Sequence, residues 1–194
     1  MQSRTPNPED APRARRRGFL SRWRRDESGA TAVELGMIAL PFFGILFGII
    51  QLGYRFFAAE SLDTAVAESA RSIMTGVAQS NSAITSASQF RDVVMCNDTR
   101  RLVPSFMDCS KLVVDVRRLA SFNDAAFTTT AVDLLNGAPT TYDPGTCNST
   151  VVVRAAYGLP AVAPALTGGG AYSIGGSDVY ALLGVFVFKN EPFC

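Results

Sequence analysis

The chain has 194 residues, enough for one ordinary globular domain with additional segments. Its charge is uneven, because residues 1–29 contain eight arginines and four acidic side chains, whereas the remainder carries a small acidic excess. A basic segment followed by an apolar run indicates a membrane and not nucleic acid as the partner. The sequence contains no histidine, the commonest general base and metal ligand, which disfavours most hydrolytic and zinc chemistry.

The apolar run covers residues 35–52, LGMIALPFFGILFGIIQL, in which Gln51 is the one strongly polar side chain. As a helix it would be ~27 Å long, close to the thickness of the bilayer interior. Pro41 is compatible with this interpretation, because membrane helices tolerate proline better than soluble ones do. The alternative is a buried core helix, which a domain of this size rarely surrounds. The segment is therefore predicted to span a membrane.

The flanking charges predict the orientation of this span. Seven arginines precede it within a short distance, whereas Arg55 stands alone just after it. These seven are Arg13, Arg15, Arg16, Arg17, Arg22, Arg24 and Arg25. The positive-inside rule therefore predicts a cytoplasmic N-terminus and a C-terminal part outside the cytoplasm.

Two targeting signals offer alternatives to a permanent span. A cleaved secretory signal peptide could end at Ala58–Ala59, but its apolar core is normally shorter and the helical pattern here continues past these alanines. A twin-arginine signal could begin at Arg16–Arg17, but Asp26 and Glu27 separate that pair from the apolar run.

The helical pattern continues beyond the membrane segment, with apolar or small residues spaced by three and four up to a stop at Gly76. One helix from about 30 to 75 would be ~70 Å long, twice what a bilayer requires. Its outer half is therefore expected to pack on the domain that follows. A polar loop is predicted at 79–88 and a short helix at about 89–102.

Three later runs are rich in aliphatic and aromatic residues at strand length: Leu112–Leu119, Val151–Tyr157 and Val179–Phe188. The last two are predicted to form an antiparallel hairpin with a long loop. The fold class is α+β, a long helix followed by a small antiparallel sheet of about three strands. The whole chain is therefore predicted to consist of three segments: a cytoplasmic basic leader at 1–29, the long helix at 30–76, and a disulfide-bearing extracytoplasmic domain at 77–194.

Four cysteines, Cys96, Cys109, Cys147 and Cys194, fall on the predicted outer side, where oxidising conditions favour disulfides. They allow three connectivities, and sequence alone does not select one. The close spacing of the first two and the predicted hairpin favour Cys96–Cys109 and Cys147–Cys194. A nucleophilic cysteine would need a base such as histidine, so no catalytic, metal or cofactor-binding residue is predicted.

Four acidic residues are expected to cap helices, stabilise turns or face solvent: Asp108, Asp115, Asp124 and Asp143.

Residues 24–57, RRDESGATAVELGMIALPFFGILFGIIQLGYRFF, resemble the TadE-like family of minor pilins, or pseudopilins, of the tight-adherence (Flp-type) type IV pilus. Residues 96–116 and 142–145, and the closing run VFVFKNEPF, are similar to the same family. The resemblance implies a bacterial inner-membrane protein that assembles with other pilins and minor pilins on a membrane platform. It implies contact with membrane lipid and no nucleic acid.

The resemblance also implies cleavage by a prepilin peptidase between Gly29 and Ala30, ahead of Glu34. One departure is Leu35, where tight-adherence pilins often carry an aromatic residue. An ionisable side chain at the edge of an apolar helix usually has a partner, and after cleavage Glu34 could pair with the Ala30 amine of a neighbouring subunit. Alternatively, Glu34 lies at the headgroup level and stays solvated.

Three functions compete on this basis. The first is a pilin-like structural subunit that is processed and incorporated. The second is an unprocessed single-pass scaffold of the pilus assembly or secretion machine. The third, a membrane-anchored enzyme, is disfavoured by the residues available.

Overall fold

The structure is a computed structural model that describes residues 28–120, 128–167 and 169–192. The chain divides into two compact units, Met1–Ile45 and Leu46–Cys194. The division falls inside one helix, so the unit that contains the sheet also contains the helix residues from Leu46 onward.

The longest element is α1, Ser28–Met74, a helix of 47 residues that agrees with the predicted helix at about 30–75. Alanine and leucine, which are strong helix formers, recur along it. Pro41 lies inside it without ending it. The chain leaves the helix at Gly76, whose φ of 81° is in the left-handed region that glycine adopts readily. The predicted helix stop is confirmed.

Four strands form one antiparallel sheet: β1 at Leu112–Leu119, β2 at Thr150–Pro160, β3 at Tyr172–Ile174 and β4 at Ser177–Lys189. Their order in the sheet is β1-β2-β4-β3. The predicted antiparallel pairing of the second and third strand runs is the β2–β4 pair, with β3 inside the long connection. The α+β class is confirmed.

The predicted number of about three strands is corrected to four in the described residues. The additional strand, β3, has only three residues, and two of them are exposed, so no hydrophobic pattern marks it. It is tied to β4 by Gly175 and Gly176, whose φ values of 59° and 78° suit a two-residue hairpin turn.

One face of α1 is buried in the second unit. The buried side chains recur at intervals of three and four residues, as the helical repeat requires, and none is more than 1% exposed: Ala58, Leu62, Ala65, Val66, Ala70 and Ile73. They share one hydrophobic cluster with buried residues of β1, β2 and β4. Gly184 of β4 lets the helix approach closely, because a Cβ there would lie 2.9 Å from Cγ2 of Val66. The expected packing of the outer helix half is confirmed.

The predicted helix at about 89–102 is wrong in its extent. Helical structure consists of α3 at Ala87–Phe90, continued by a π-helical turn at Arg91–Met95. The amides of Leu102 and Val103 both bond to the carbonyl of Met95, so the chain folds back after the turn. Two further short helices are α2 at Val77–Ser80, partly within the predicted loop, and α4 at Ala131–Leu135. Single 3-10 turns occur at Cys109–Lys111 and Pro164–Thr167.

Candidate functional site

The predicted leader junction, Gly29–Ala30, lies in the backbone of α1. Gly29 is exposed, and a Cβ added to it would meet no atom within 4 Å. Intramolecular packing therefore does not explain a glycine at this position. The exposed position is compatible with a glycine that another molecule requires, such as a peptidase that binds this segment in its substrate groove.

Glu34 is exposed on the same helix, four residues after Ala30. Residues four apart in an α-helix lie on one face about one turn apart, and side chains lean toward the N-terminus. The carboxylate therefore points back toward the level of the Ala30 backbone nitrogen. The two groups lie on one face of the helix, where a neighbouring helix could approach both.

Around Glu34, α1 presents large apolar side chains outward. In the first unit they are each at least half exposed: Val33, Leu35, Met37, Ile38, Leu40, Phe42, Phe43 and Ile45. Among the described residues, one helix is long and apolar enough to cross a membrane, and it lies near the N-terminus. An exposed apolar surface of this kind is unfavourable in water and favourable in lipid. The chain therefore fits a single-pass membrane protein.

Cys96 and Cys109 form a disulfide, as expected from their spacing. It closes the segment that follows the π-helical turn. Inside this loop, Arg101 donates to the carbonyls of Val103, at 2.9 Å, and Met107. Cys147 is disulfide-bonded, and its predicted partner Cys194 lies outside the described residues.

We expect the double substitution of Cys96 and Cys109 by serine to lower the free energy of unfolding by ~3 kcal/mol. The disulfide closes a short loop and restricts the unfolded chain, which is the main source of its stabilisation in the chain-entropy model. Denaturant unfolding of the full chain in detergent, without reductant, measures the change. Ser105→Ala, an exposed substitution in the same loop, is the control and should change little.

A buried ionic group lies in the middle of the sheet. Asp115 of β1 and Arg154 of β2 are cross-strand partners, and their side chains are 0% and 2% exposed. Arg154 Nη2 donates to Asp115 Oδ2 at 2.6 Å. Arg117 Nε donates to the same oxygen at 2.9 Å, and the Thr141 amide donates to Oδ1 at 2.8 Å. The carboxylate thus joins two strands and the segment that runs beside β1.

The expectation that Asp115 caps, turns or faces solvent is therefore wrong. The sequence does contain a signal for this pair: an acidic residue, Asp115, lies in one apolar strand run and a basic residue, Arg154, lies in another. Charged side chains are rarely buried without a partner, so the two could have been paired.

The Asp108 prediction is confirmed: this side chain caps the 3-10 turn and accepts hydrogen bonds from Ser110, which lower the pKa of its carboxyl. Asp143 accepts from the Gly145 amide in a turn, and Asp124 lies outside the described residues.

A helix that is long and apolar enough to span a membrane, and that continues into a disulfide-bearing α+β domain, fits the class of membrane-anchored proteins with a folded domain. In a comparison with known families, residues 29–71 match the family model of TadE-like proteins. This match confirms the resemblance for a segment that includes Glu34 and the apolar run. It indicates a protein associated with the tight-adherence pilus system. No curated protein and no solved structure matches the chain.

Proposed function

We propose that the chain is a minor pilin, or pseudopilin, of a tight-adherence type IV pilus, with a structural and not an enzymatic role. The observation that carries the proposal is the coincidence of three features in α1. The TadE-like match covers residues 29–71, an ionisable residue precedes an outward-facing apolar surface, and the outer part of the same helix packs on a sheet. A pilin-like subunit needs an anchor before assembly and a folded domain that stays attached to it.

In this proposal the protein enters the bacterial inner membrane with the basic leader in the cytoplasm and the sheet domain in the periplasm. The arginines before the span support this orientation. The disulfide in the sheet domain supports an oxidising compartment. A prepilin peptidase removes residues 1–29, and the processed chain joins other pilins on the membrane assembly platform.

Leader cleavage tests the proposal directly. Co-expression with the cognate prepilin peptidase should shorten the wild-type chain, and N-terminal sequencing should begin at Ala30. Gly29→Leu should abolish the shortening, because the larger side chain fills the position next to the scissile bond. Mass spectrometry of the membrane-extracted protein measures both results.

Gly36→Leu is the matched control, since Gly36 lies on the same helix and a Cβ there also meets no atom within 4 Å. It should be processed like the wild type. A wild-type chain that keeps its leader in the presence of active peptidase would favour the unprocessed scaffold. A new N-terminus after Ala59 would identify a secretory signal peptide and overturn the proposal.

A further inference from the structure

Three aromatic side chains form an exposed cluster where α1 leaves its apolar stretch. Tyr54 and Phe57 belong to the helix and Phe106 to the disulfide loop, and they are 42%, 60% and 37% exposed. The ring centroid of Phe106 lies 5.4 Å from that of Tyr54 and 5.8 Å from that of Phe57. We call these three residues the aromatic cluster. Two separate elements thus bring large apolar side chains together at the surface instead of in the core.

The disulfide loop holds Phe106 outward. Its neighbours Val103 and Met107 are buried, at 1% and 0% exposure. Arg101 binds carbonyls on both sides of Phe106, and the Asp108 amide donates to the Tyr157 hydroxyl at 3.1 Å. Because the loop backbone is fixed at these points, Phe106 cannot turn inward without breaking them. Its exposure is a property of the folded loop.

The connection between β2 and β3 lies at the same end of the sheet. Pro160 and Tyr172, which border it, both pair with Val179. The next residue, Tyr180, contacts α1 beside the aromatic cluster: its hydroxyl is 3.5 Å from Gln51 Nε2, and its ring lies 4.6 Å below the Arg55 guanidinium.

This connection and the first residue of β3 add exposed apolar side chains, since Val162 is 89% and Tyr172 49% exposed. The opposite end of the sheet is marked by the bond from the Glu191 amide to the Met74 carbonyl, at the end of α1. The two ends are separated by the length of the helix from Tyr54 to Met74, ~30 Å. The aromatic cluster and the β2–β3 connection therefore share one end of the domain.

We propose that this end of the domain rests on the bilayer surface from which α1 emerges, with Phe106 inserted at the level of the headgroups. The occupant is lipid because the exposed apolar surface of α1 continues through Ile49, Ile50 and Leu52 to the aromatic cluster. Aromatic side chains concentrate at membrane interfaces, where their apolar rings meet lipid and their polar groups meet water. The domain is then held against the membrane at two points, the helix and the loop.

Arg55 supports the same placement. A cation one turn beyond the apolar run lies at the depth where arginine side chains extend toward the headgroups. Its guanidinium lies over the Tyr180 ring, a favourable cation–π geometry that also fixes the ring near the interface. The contact goes beyond the proposed pilin role and rests on insertion of α1 as a membrane span.

Depth-dependent fluorescence quenching tests this contact in the full chain. Trp23 is the one tryptophan, so Trp23→Phe provides a silent background. Into it we place tryptophan at Phe106, at Ile45 within the apolar run, or at Val77, which is 61% exposed just beyond the far end of α1. Each protein is reconstituted into phosphatidylcholine–phosphatidylglycerol vesicles that contain lipids brominated at defined acyl positions.

We expect Phe106→Trp to be quenched most by bromines just below the headgroups, Ile45→Trp by deeper bromines, and Val77→Trp by neither. Quenching of Ile45→Trp with none of Phe106→Trp overturns the contact and leaves the membrane span in place. Blue-shifted Phe106→Trp emission without lipid quenching also overturns it, because a protein surface then covers the cluster. If no position is quenched, the membrane span itself fails. Non-reducing gels confirm that each variant forms its disulfides.

Discussion

Asp115→Asn is expected to destabilise the sheet domain by ~3–5 kcal/mol, although the side chain keeps its size. The carboxylate is fully buried and bonded to Arg154, Arg117 and the Thr141 amide. Removing one member of a buried ion pair is strongly destabilising, because the other charge stays in a medium of low polarity. For a chain of this length the expected fall in the melting temperature is ~6–20 °C. Thermal unfolding of the full chain in detergent, followed by circular dichroism, measures it.

Arg118→Met is the control for this prediction. Arg118 lies on the same strand and pairs with Asp143 at 3.5 Å, but both side chains are about half exposed, at 55% and 47%. Exposed ion pairs contribute ~0–1 kcal/mol, so the melting temperature of Arg118→Met should hardly change.

A second comparison replaces Asp115 by leucine and Arg154 by methionine together. This double variant should be more stable than the Asp115→Leu single variant, because the buried Arg154 charge is removed together with its partner, while Arg117 is partly exposed in both variants. Equal stability of the two would contradict the ionic explanation.

The elements that the sequence predicted correctly are those whose hydrophobic periodicity is strong. The single long helix and the three longer strands all have extended apolar patterns, and Gly76 marks the helix end because a left-handed residue is needed there. By contrast β3 is short and exposed, so its pairing depends on the turn at Gly175–Gly176 and leaves no pattern of its own.

Tertiary contacts decided the features that the sequence did not reveal. Whether Asp115 faces solvent or Arg154 depends on the register of β1 against β2, which places the two residues opposite each other. The path of the disulfide loop depends on Arg101, whose guanidinium binds carbonyls of that same loop. In a sequence such arginines resemble ordinary surface residues, because nothing local identifies the carbonyls that they bind.

The predicted leader junction is the opposite case, since the sequence pattern and not the packing suggests a role for its residues. Gly29 and Glu34 make no packing contact that would require either residue type in an isolated chain. Both residues lie within the segment 29–71 that matches the TadE-like family model. Under the proposed function, a peptidase would depend on Gly29 and a neighbouring subunit on Glu34.

Glu34→Gln is expected to leave insertion, leader cleavage and disulfide formation unchanged while excluding the chain from pili. The amide keeps the size of the side chain but cannot form an ion pair with the Ala30 amine of a neighbour. Loss of one partner of a desolvated pair costs on the order of 3 kcal/mol. That energy corresponds to about a 100-fold lower affinity for a growing filament. The measurement compares the amount of the chain in purified pili with its amount in membranes, for mutant and wild type.

Glu60→Gln is the control that separates an effect specific to Glu34 from a general effect of removing a negative charge from the helix. Glu60 is exposed on the same helix, eight residues beyond the apolar run. Its neutralisation should leave incorporation unchanged, because an exposed carboxylate loses little when its charge is removed. If a cleaved Glu34→Gln chain enters pili as efficiently as Glu60→Gln, then Glu34 remains solvated among the headgroups. In that case the Glu34 charge does not contribute to incorporation, and the ion pair with a neighbouring Ala30 amine is excluded.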